Sequence, residues 1–275
     1  MYKVLRKTAL TPTVVRMDVE APLMAKKAKP GQFIILRPHA DSERIPLTIA
    51  SYDPEEGSVS VIFQVVGETT RELNQIPAGG YIQDFVGPLG NATEVEGLKR
   101  VLIVGGGVGC AIALPIAQEL HRLGAEVHSV IGFRTKDLVI LEKDFAQCSD
   151  KLVVMTDDGS YGTKGLVTTA IEELVAQGNQ YDEVIAIGPM MMMKFVCQAT
   201  QKLGLKTVVS MNAVMVDGTG MCGGCRVTVG GQTKFACVDG PDFDGHQVDW
   251  DEIIKRVSMY KEFETNCNLM NQEVK

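Results

Sequence analysis

The chain has 275 residues, 45% of them hydrophobic and 22% charged, with 28 Gly and 11 Pro. It is too long for one comfortable core, and this composition excludes a disordered, fibrous or collagen-like protein. A formal charge of −7 without any Lys/Arg block excludes a nucleic-acid binder, whose phosphate contacts need clustered basic surface. Seven cysteines scattered over the chain argue against a secreted disulfide scaffold. No signal peptide is visible in MYKVLRKTALTPTVVRM, and the most apolar run, Val101–Ala117, is Gly-rich, contains Pro115 and is too short to span a bilayer. A cytoplasmic, multi-domain α/β protein without a membrane span is expected.

Residues 1–98 read as strands. Runs rich in Val, Ile and Phe at Thr13–Val19, Phe33–Leu36, Leu47–Ser51, Val59–Val66 and Tyr81–Val86 are separated by turn signals about ten residues apart. That pattern predicts an antiparallel barrel or sandwich. A short helix is expected at Thr69–Gln75, and Gly87–Gly90 with the polar stretch to Lys99 reads as a linker.

Residues 99–208 change texture. The run Val-Leu-Ile-Val before Gly105 is continuously apolar, as in strands covered on both faces. Further strands are predicted at Glu126–Gly132, Lys151–Thr156 and Glu183–Gly188, alternating with helices at Cys110–Leu123, Gly165–Gln177 and Met190–Leu203. The alternation predicts a doubly wound sheet. Residues 209–275 hold four of the seven Cys, a Gly-rich loop and one amphipathic helix candidate near Val248–Glu264. So small a tail is expected to need a metal staple.

The strongest chemical signal lies in that tail. Asp217 is followed after four residues by Cys222, after two more by Cys225 and after eleven by Cys237. A plant-type [2Fe–2S] loop has the spacing C-x4-C-x2-C with a distant fourth Cys, and Asp217 occupies the first thiolate position. Glycines at 218, 220, 223 and 224 let backbone amides turn inward. The competing readings are a zinc site of three Cys and one Asp, or a turn in which Asp217 merely caps a loop; zinc knuckles usually show paired Cys-x2-Cys motifs, and one pair is present.

A second signal is Gly105-Gly106-Gly107-Val108-Gly109-Cys110 between a strand and a helix, where glycine permits close approach of backbone to a pyrophosphate. The dinucleotide fingerprint is incomplete, because Cys110 stands at its third Gly and no acid ends the next strand. By itself it is equally a tight strand–helix turn. A third signal pairs Arg44-Ile-Pro46-Leu47-Thr48 with Gly67-Glu-Thr69-Thr70. An Arg on a strand can clamp phosphate and Gly-x-Thr-Thr at a helix start offers donors to an anion, although a surface Arg and an N-capped helix explain both equally.

Taken in order, Arg44-x-Pro-Leu-Thr48, Gly67-x-Thr-Thr and Gly-Gly-Gly-Val-Gly after a strand resemble the ferredoxin–NAD(P)+ reductase family. The resemblance implies an FAD-binding β-barrel, an NAD(H)-binding α/β doubly wound domain and a small C-terminal iron–sulfur domain. The cluster tail is similar to that of a narrower group: the electron-transfer subunit of dihydroorotate dehydrogenase, with four Cys at its cluster, and the small subunit of NADH-dependent reduced ferredoxin:NADP+ oxidoreductase, with three Cys and an Asp. Asp217 favours the second.

The resemblance implies that Arg44 binds flavin phosphate, that Thr48 hydrogen-bonds near flavin N5, that Pro46 and Leu47 line the isoalloxazine, and that Gly67, Thr69 and Thr70 meet the pyrophosphate. Gly105, Gly107 and Gly109 would hold the dinucleotide, and Asp217, Cys222, Cys225 and Cys237 the [2Fe–2S] cluster. The family's Cys-Gly-Pro segment is here Ile187-Gly188-Pro189. Asp157 and Asp158 after the third strand would repel a 2′-phosphate, favouring NAD(H), while Arg134 and Lys136 argue the other way. A larger flavin and iron–sulfur subunit is implied as partner, with ferredoxin reached indirectly. Electron transfer among NAD(H), FAD and the cluster is the expected function. The pyrimidine-pathway subunit is the near alternative, and a metal-stapled redox-sensing or structural module the distant one. Cys110, Cys148, Cys197 and Cys267 lack ligand spacing and read as structural thiols, Met190–Met193 as a core face, and the four His as unrelated.

Overall fold

The computed structural model describes residues 1–259 and Thr265. Seven antiparallel strands form the first layer: β1 (Tyr2–Ala9), β2 (Val14–Glu20), β3 (Phe33–Arg37), β4 (Ile45–Asp53), β5 (Ser58–Gln64), β6 (Tyr81–Ile82) and β7 (Asp84–Leu89), in the order β6-β1-β2-β5-β4-β3-β7. Period-two alternation sends Val15, Met17 and Val19 of β2, Val59, Val61 and Phe63 of β5 and Ile34 and Leu36 of β3 into one interior. Two short helices, α1 (Pro22–Ala25) and α2 (Glu68–Gln75), close it with Met24 and Leu73. The curled sheet is the expected barrel. Residues 87–89, expected in a linker, belong to β7 instead, because Phe33 and Ile35 of β3 pair with Leu89 and Val86.

The second sheet has the order β11-β10-β9-β8-β12-β13-β16. Its members are β8 (Arg100–Gly106), β9 (Glu126–Phe133), β10 (Lys151–Thr156), β11 (Thr163–Lys164), β12 (Glu183–Ile187), β13 (Thr207–Ser210) and, from the tail, β16 (Asp242–Asp244). All but β16 run parallel, which explains the unbroken apolar runs of β8 and β12. Helices α3 (Cys110–Arg122) and α4 (Glu142–Gln147) cover one face, and α5 (Val167–Ala176) and α6 (Met190–Lys202) the other. Strand order reverses at β8, with β9 on one side and β12 on the other, so a crevice opens beyond their carboxyl ends.

The remaining tail elements are a hairpin, β14 (Arg226–Val229) with β15 (Gln232–Phe235), and α7 (Trp250–Val257). The predicted tail helix thus starts two residues late, and its last part and Cys267 lie outside the described residues. The tail does not build a core alone. Cys225, Val227, Ala236, Cys237, Phe243 and Ile253 share one cluster with Leu102, Val104 and Ala186 of the second sheet and with Phe33 and Ile35 of the barrel. The barrel's other face is tied in as well, since Val14, Ala50 and Ile62 pack with the α3 residues Ala111 and Leu114. Among the described residues no helix is long and apolar enough to cross a membrane.

Candidate active site and iron–sulfur loop

Glycine sets the floor of the crevice. Gly109 caps α3, and a β-carbon on it would lie 2.5 Å from the Ile187 carbonyl oxygen and 2.7 Å from Gly188 Cα. Gly106 and Gly188 also touch, since a β-carbon on Gly188 would be 3.1 Å from Gly106 Cα. The ends of β8 and β12 therefore close to a separation that side chains forbid. Gly107 has φ +54° and open space where a β-carbon would stand, so it faces the crevice. The first turn of α3 carries no acid, leaving its amides and positive dipole end available to an anion.

This floor belongs to a cleft of about 940 Å³. Val14 and Gln64 of the barrel form one wall, Ile187, Gly188, Pro189 and Met192 another, and Ser210 and Asn212 a third. Such a volume suits a dinucleotide-sized ligand. Gly106 belongs to the tripled glycine singled out before α3; Met192, read from the sequence as part of a core face, lines the cleft instead, and Asn212 was not singled out from the sequence. Asp157 and Arg134 line the far end. The two adjacent acids are not equivalent. Asp158 Oδ1 accepts from the Ser160 hydroxyl at 2.7 Å and the Ser160 amide at 2.9 Å, bonds that hold its carboxyl below the ordinary range. It is a turn cap, whereas Asp157 faces the cleft. Lys136 is likewise turned away, its ammonium 5.6 Å from the centre of the Tyr161 ring.

The barrel motif sits on β4. Pro46, Leu47 and Thr48 are half-buried and pair with Ile35, Ile34 and Phe33 of β3, while Arg44 just before the strand is exposed. Arg44 Nε donates to the Val216 carbonyl at 3.2 Å, joining the motif to the tail. At the start of α2, Thr70 Oγ1 accepts from the amides of Val66 and Gly67 and donates to the Gly67 carbonyl. Thr70 is thus the helix cap foreseen as the plain alternative, and Thr69 is buried.

The loop from Asp217 is built on left-handed glycines at 218, 220 and 223, with φ of +76°, +86° and +67°. Gly218 lies on the barrel: a β-carbon there would come 2.8 Å from Ile35 Cγ1 and 2.9 Å from Leu89 Cδ1. Cys225 and Cys237 are buried with their sulfurs 3.2 Å apart, and Cys222 is exposed. Burial first, then contact with Cys225, pushes the Cys237 thiol up. Asp217 Oδ1 and Oδ2 accept from the amides of Thr219 and Cys222 at 2.9 and 2.8 Å. Those bonds, Thr219 foremost, hold its carboxyl below the usual range. Among the described residues no three His, Cys, Asp or Glu side chains converge as a formed metal site. The donor chemistry nonetheless fits an iron–sulfur group: soft thiols on a glycine loop, with two of them already in contact.

Residues 212–249 match the iron–sulfur cluster binding domain of dihydroorotate dehydrogenase B. The chain is 48% identical to a dihydroorotate dehydrogenase B (NAD+) electron transfer subunit homolog from Thermotoga maritima, over 96% of this chain and 93% of that one. The chain belongs to the dihydroorotate dehydrogenase B electron-transfer-subunit family. Another member, the electron transfer subunit from Streptococcus pneumoniae R6, is 33% identical over 88% of this chain and 94% of its own. Among solved structures, a chain of the NADH-dependent reduced ferredoxin–NADP oxidoreductase, described for flavin-based electron bifurcation, superposes with a TM-score of 0.93 at 45% identity, covering all of this chain and 98% of that one. The cytochrome b5 reductase domain of Ulva prolifera nitrate reductase shares the fold at a TM-score of 0.61 and 15% identity. The electron-transfer-subunit family thus stands within the wider ferredoxin–NAD(P)+ reductase fold, as the order of motifs implied.

Proposed function

We propose that this chain is the electron-transfer subunit of a cytoplasmic oxidoreductase, moving electrons between NAD(H), FAD and a [2Fe–2S] cluster and on to a larger flavin and iron–sulfur subunit, with ferredoxin reached through that partner. One observation carries the reading. The barrel meets both other sites, its Val14 and Gln64 walling the dinucleotide cleft while Ile35 and Leu89 support the loop of Asp217. A flavin seated on β4 would stand between a two-electron donor and a one-electron acceptor, and a flavin is the cofactor that accepts hydride and releases single electrons.

The chain's own residues divide the work. The amides around Gly107 and Gly109 and the α3 dipole bind the diphosphate of NAD(H). Asp157 accepts a ribose hydroxyl and repels a 2′-phosphate, favouring NAD(H). Arg44 contributes charge to flavin phosphate, Thr48 a hydroxyl at the ring edge, and Pro46 and Leu47 the apolar surface beneath it. Gly67 and Thr69 present donors to the flavin pyrophosphate, and Thr70 keeps their turn in shape. Cys222, Cys225 and Cys237 hold the cluster. Around it Val216, Met221 and Val238 are exposed, an apolar surface suited to a partner subunit.

Asp217 has two readings. As fourth ligand it releases at least one of its amide hydrogen bonds to reach iron; as a loop cap it keeps both. Asp217→Asn tests ligation, since the amide keeps one of the two accepting oxygens but is a poor iron ligand. Altered paramagnetic resonance of the reduced cluster supports ligation, and an unchanged signal supports the cap. The overall function is tested by the absorption spectrum of anaerobically purified protein, titrated with NADH and then NADPH. Flavin bleaching and a reduced [2Fe–2S] signal at lower NADH than NADPH are expected. A colourless protein defeats the reading.

A further inference from the structure

Two guanidinium groups are hydrogen-bonded into the cysteine loop. The loop turns at Gly223, with φ +67°, and Arg226 opens β14 directly after Cys225. Arg226 Nη1 donates to the Gly223 carbonyl at 3.0 Å, and Arg256 Nη2, from α7, donates to the Gly224 carbonyl at 3.2 Å. Gly223 and Gly224 are the residues between Cys222 and Cys225. Among the described residues neither arginine makes an ion pair. Two acids at the start of α7 are engaged elsewhere: Asp249 accepts from the Glu252 amide and Asp251 pairs with Lys194 at 2.6 Å.

The bonds continue to a sulfur. The Gly224 amide donates to Cys222 Sγ at 3.4 Å, and that amide belongs to the peptide group whose carbonyl accepts from Arg226. Guanidinium, peptide and sulfur therefore form one polarised chain, in which each bond strengthens the next. Arg256 acts on the following peptide, between Gly224 and Cys225. Its helix is fixed to the hairpin, because the Asp249 amide donates to the Thr228 carbonyl of β14 and Ile253 is buried. Both arginines border a cavity of about 260 Å³ that Val214, Val216, Ile253 and Val257 also line. In such apolar surroundings a charge is screened less than in water.

We propose that Arg226 and Arg256 raise the reduction potential of the cluster held by this loop. Arg226 draws negative charge from the Cys222 sulfur through the Gly223–Gly224 peptide, and Arg256 reinforces it from the next peptide. Uptake of one electron, with no bond made or broken, adds one negative charge beside the cysteine sulfurs. A fixed positive charge bonded into the loop favours that reduced state. Both residues act through peptide groups, so they are positioning residues. Their role deepens the iron–sulfur reading of the loop and rests on it.

An equilibrium redox titration of the anaerobically purified full chain tests this, with the midpoint read from the paramagnetic signal of the reduced cluster. Arg226→Met is expected to lower the ratio of reduced to oxidised cluster about tenfold at the wild-type midpoint, a shift of about 59 mV for one electron. Arg256→Met should shift it the same way by less, and Arg226→Lys should recover most of the loss. Lys255→Met removes an equal charge from α7 without a bond to the loop, and its ratio is expected to stay within about twofold of wild type. An unchanged midpoint in Arg226→Met at full iron content overturns the proposal and leaves the iron–sulfur reading standing. Equal shifts in Lys255→Met and Arg226→Met overturn it too, since charge at a distance would then suffice. If Arg226→Met binds no iron, Arg256→Met decides, and an unchanged midpoint there overturns the proposal. A wild type that binds no iron defeats the reading and the proposal together.

Discussion

Gly218 rests on Ile35: the loop that begins at Asp217 touches the barrel where a single added carbon would stand 2.8 Å from a β3 side chain. Its φ of +76° adds a conformational requirement that L side chains rarely meet. Gly218→Ala is expected to lift the loop off β3 and β7 and to cost on the order of 2 kcal/mol. Iron content after anaerobic reconstitution should fall while flavin content holds. Equal iron in variant and wild type would show that the contact does not position the loop.

The two glycines of the crevice floor should respond differently. A β-carbon on Gly109 meets main chain, the Ile187 oxygen, which cannot step aside without moving β12. Gly109→Ala is therefore predicted to weaken NADH binding at least about tenfold, a loss of about 1.4 kcal/mol. A β-carbon on Gly106 meets chiefly the Met192 sulfur, the far part of a flexible side chain, so Gly106→Ala should bind NADH within about threefold of wild type. Calorimetric titration of both variants checks the contrast.

Asp157 and Asp158 are adjacent in sequence and different in role. Asp157→Ala removes one of the two negative charges lining the cleft, the other being Glu172, and leaves Arg134 there. It is expected to narrow the preference for NADH over NADPH by about tenfold. Asp158→Ala removes only the Ser160 cap and should leave the ratio of the two kcat/KM values unchanged. Equal shifts in both variants would mean that the acids act together.

Asp18 provides a stability test remote from the chemistry. Burial tends to raise its carboxyl, but bonds from Ser60, Arg6 and Arg16 prevail and hold it below the ordinary range. A depressed carboxyl contributes stability that is present above its unfolded value and lost as pH falls through the folded one. Asp18→Asn is expected to cost on the order of 2 kcal/mol at neutral pH. The difference from wild type should shrink on acidification below the usual carboxylate range. Chemical denaturation at several pH values measures it.

Much of this protein was determined by sequence alone, because the features concerned are local. Apolar runs with period two, a continuous apolar strand before tripled glycine and the Asp-x4-Cys-x2-Cys spacing each follow from residues a few positions apart, so two sheets, the crevice and the cluster loop were legible without coordinates. The third thiolate, Cys237, was legible only as a candidate. Its contact with Cys225 depends on the hairpin of β14 and β15 bringing distant residues together. Other decisions were tertiary in the same sense. Residues 87–89 became a strand because β3 offered a free edge, and the tail gained a core by sharing one with the second sheet. The cap that distinguishes Asp158 comes from Ser160, two residues on, whereas the part Asp157 plays is decided by the line of the cleft, which only the fold sets. Asp242 of β16 acquires its hydrogen-bond partner Thr93, far from it along the chain, through the packing of the tail against the barrel, because hydrogen bonding depends on neighbours in space.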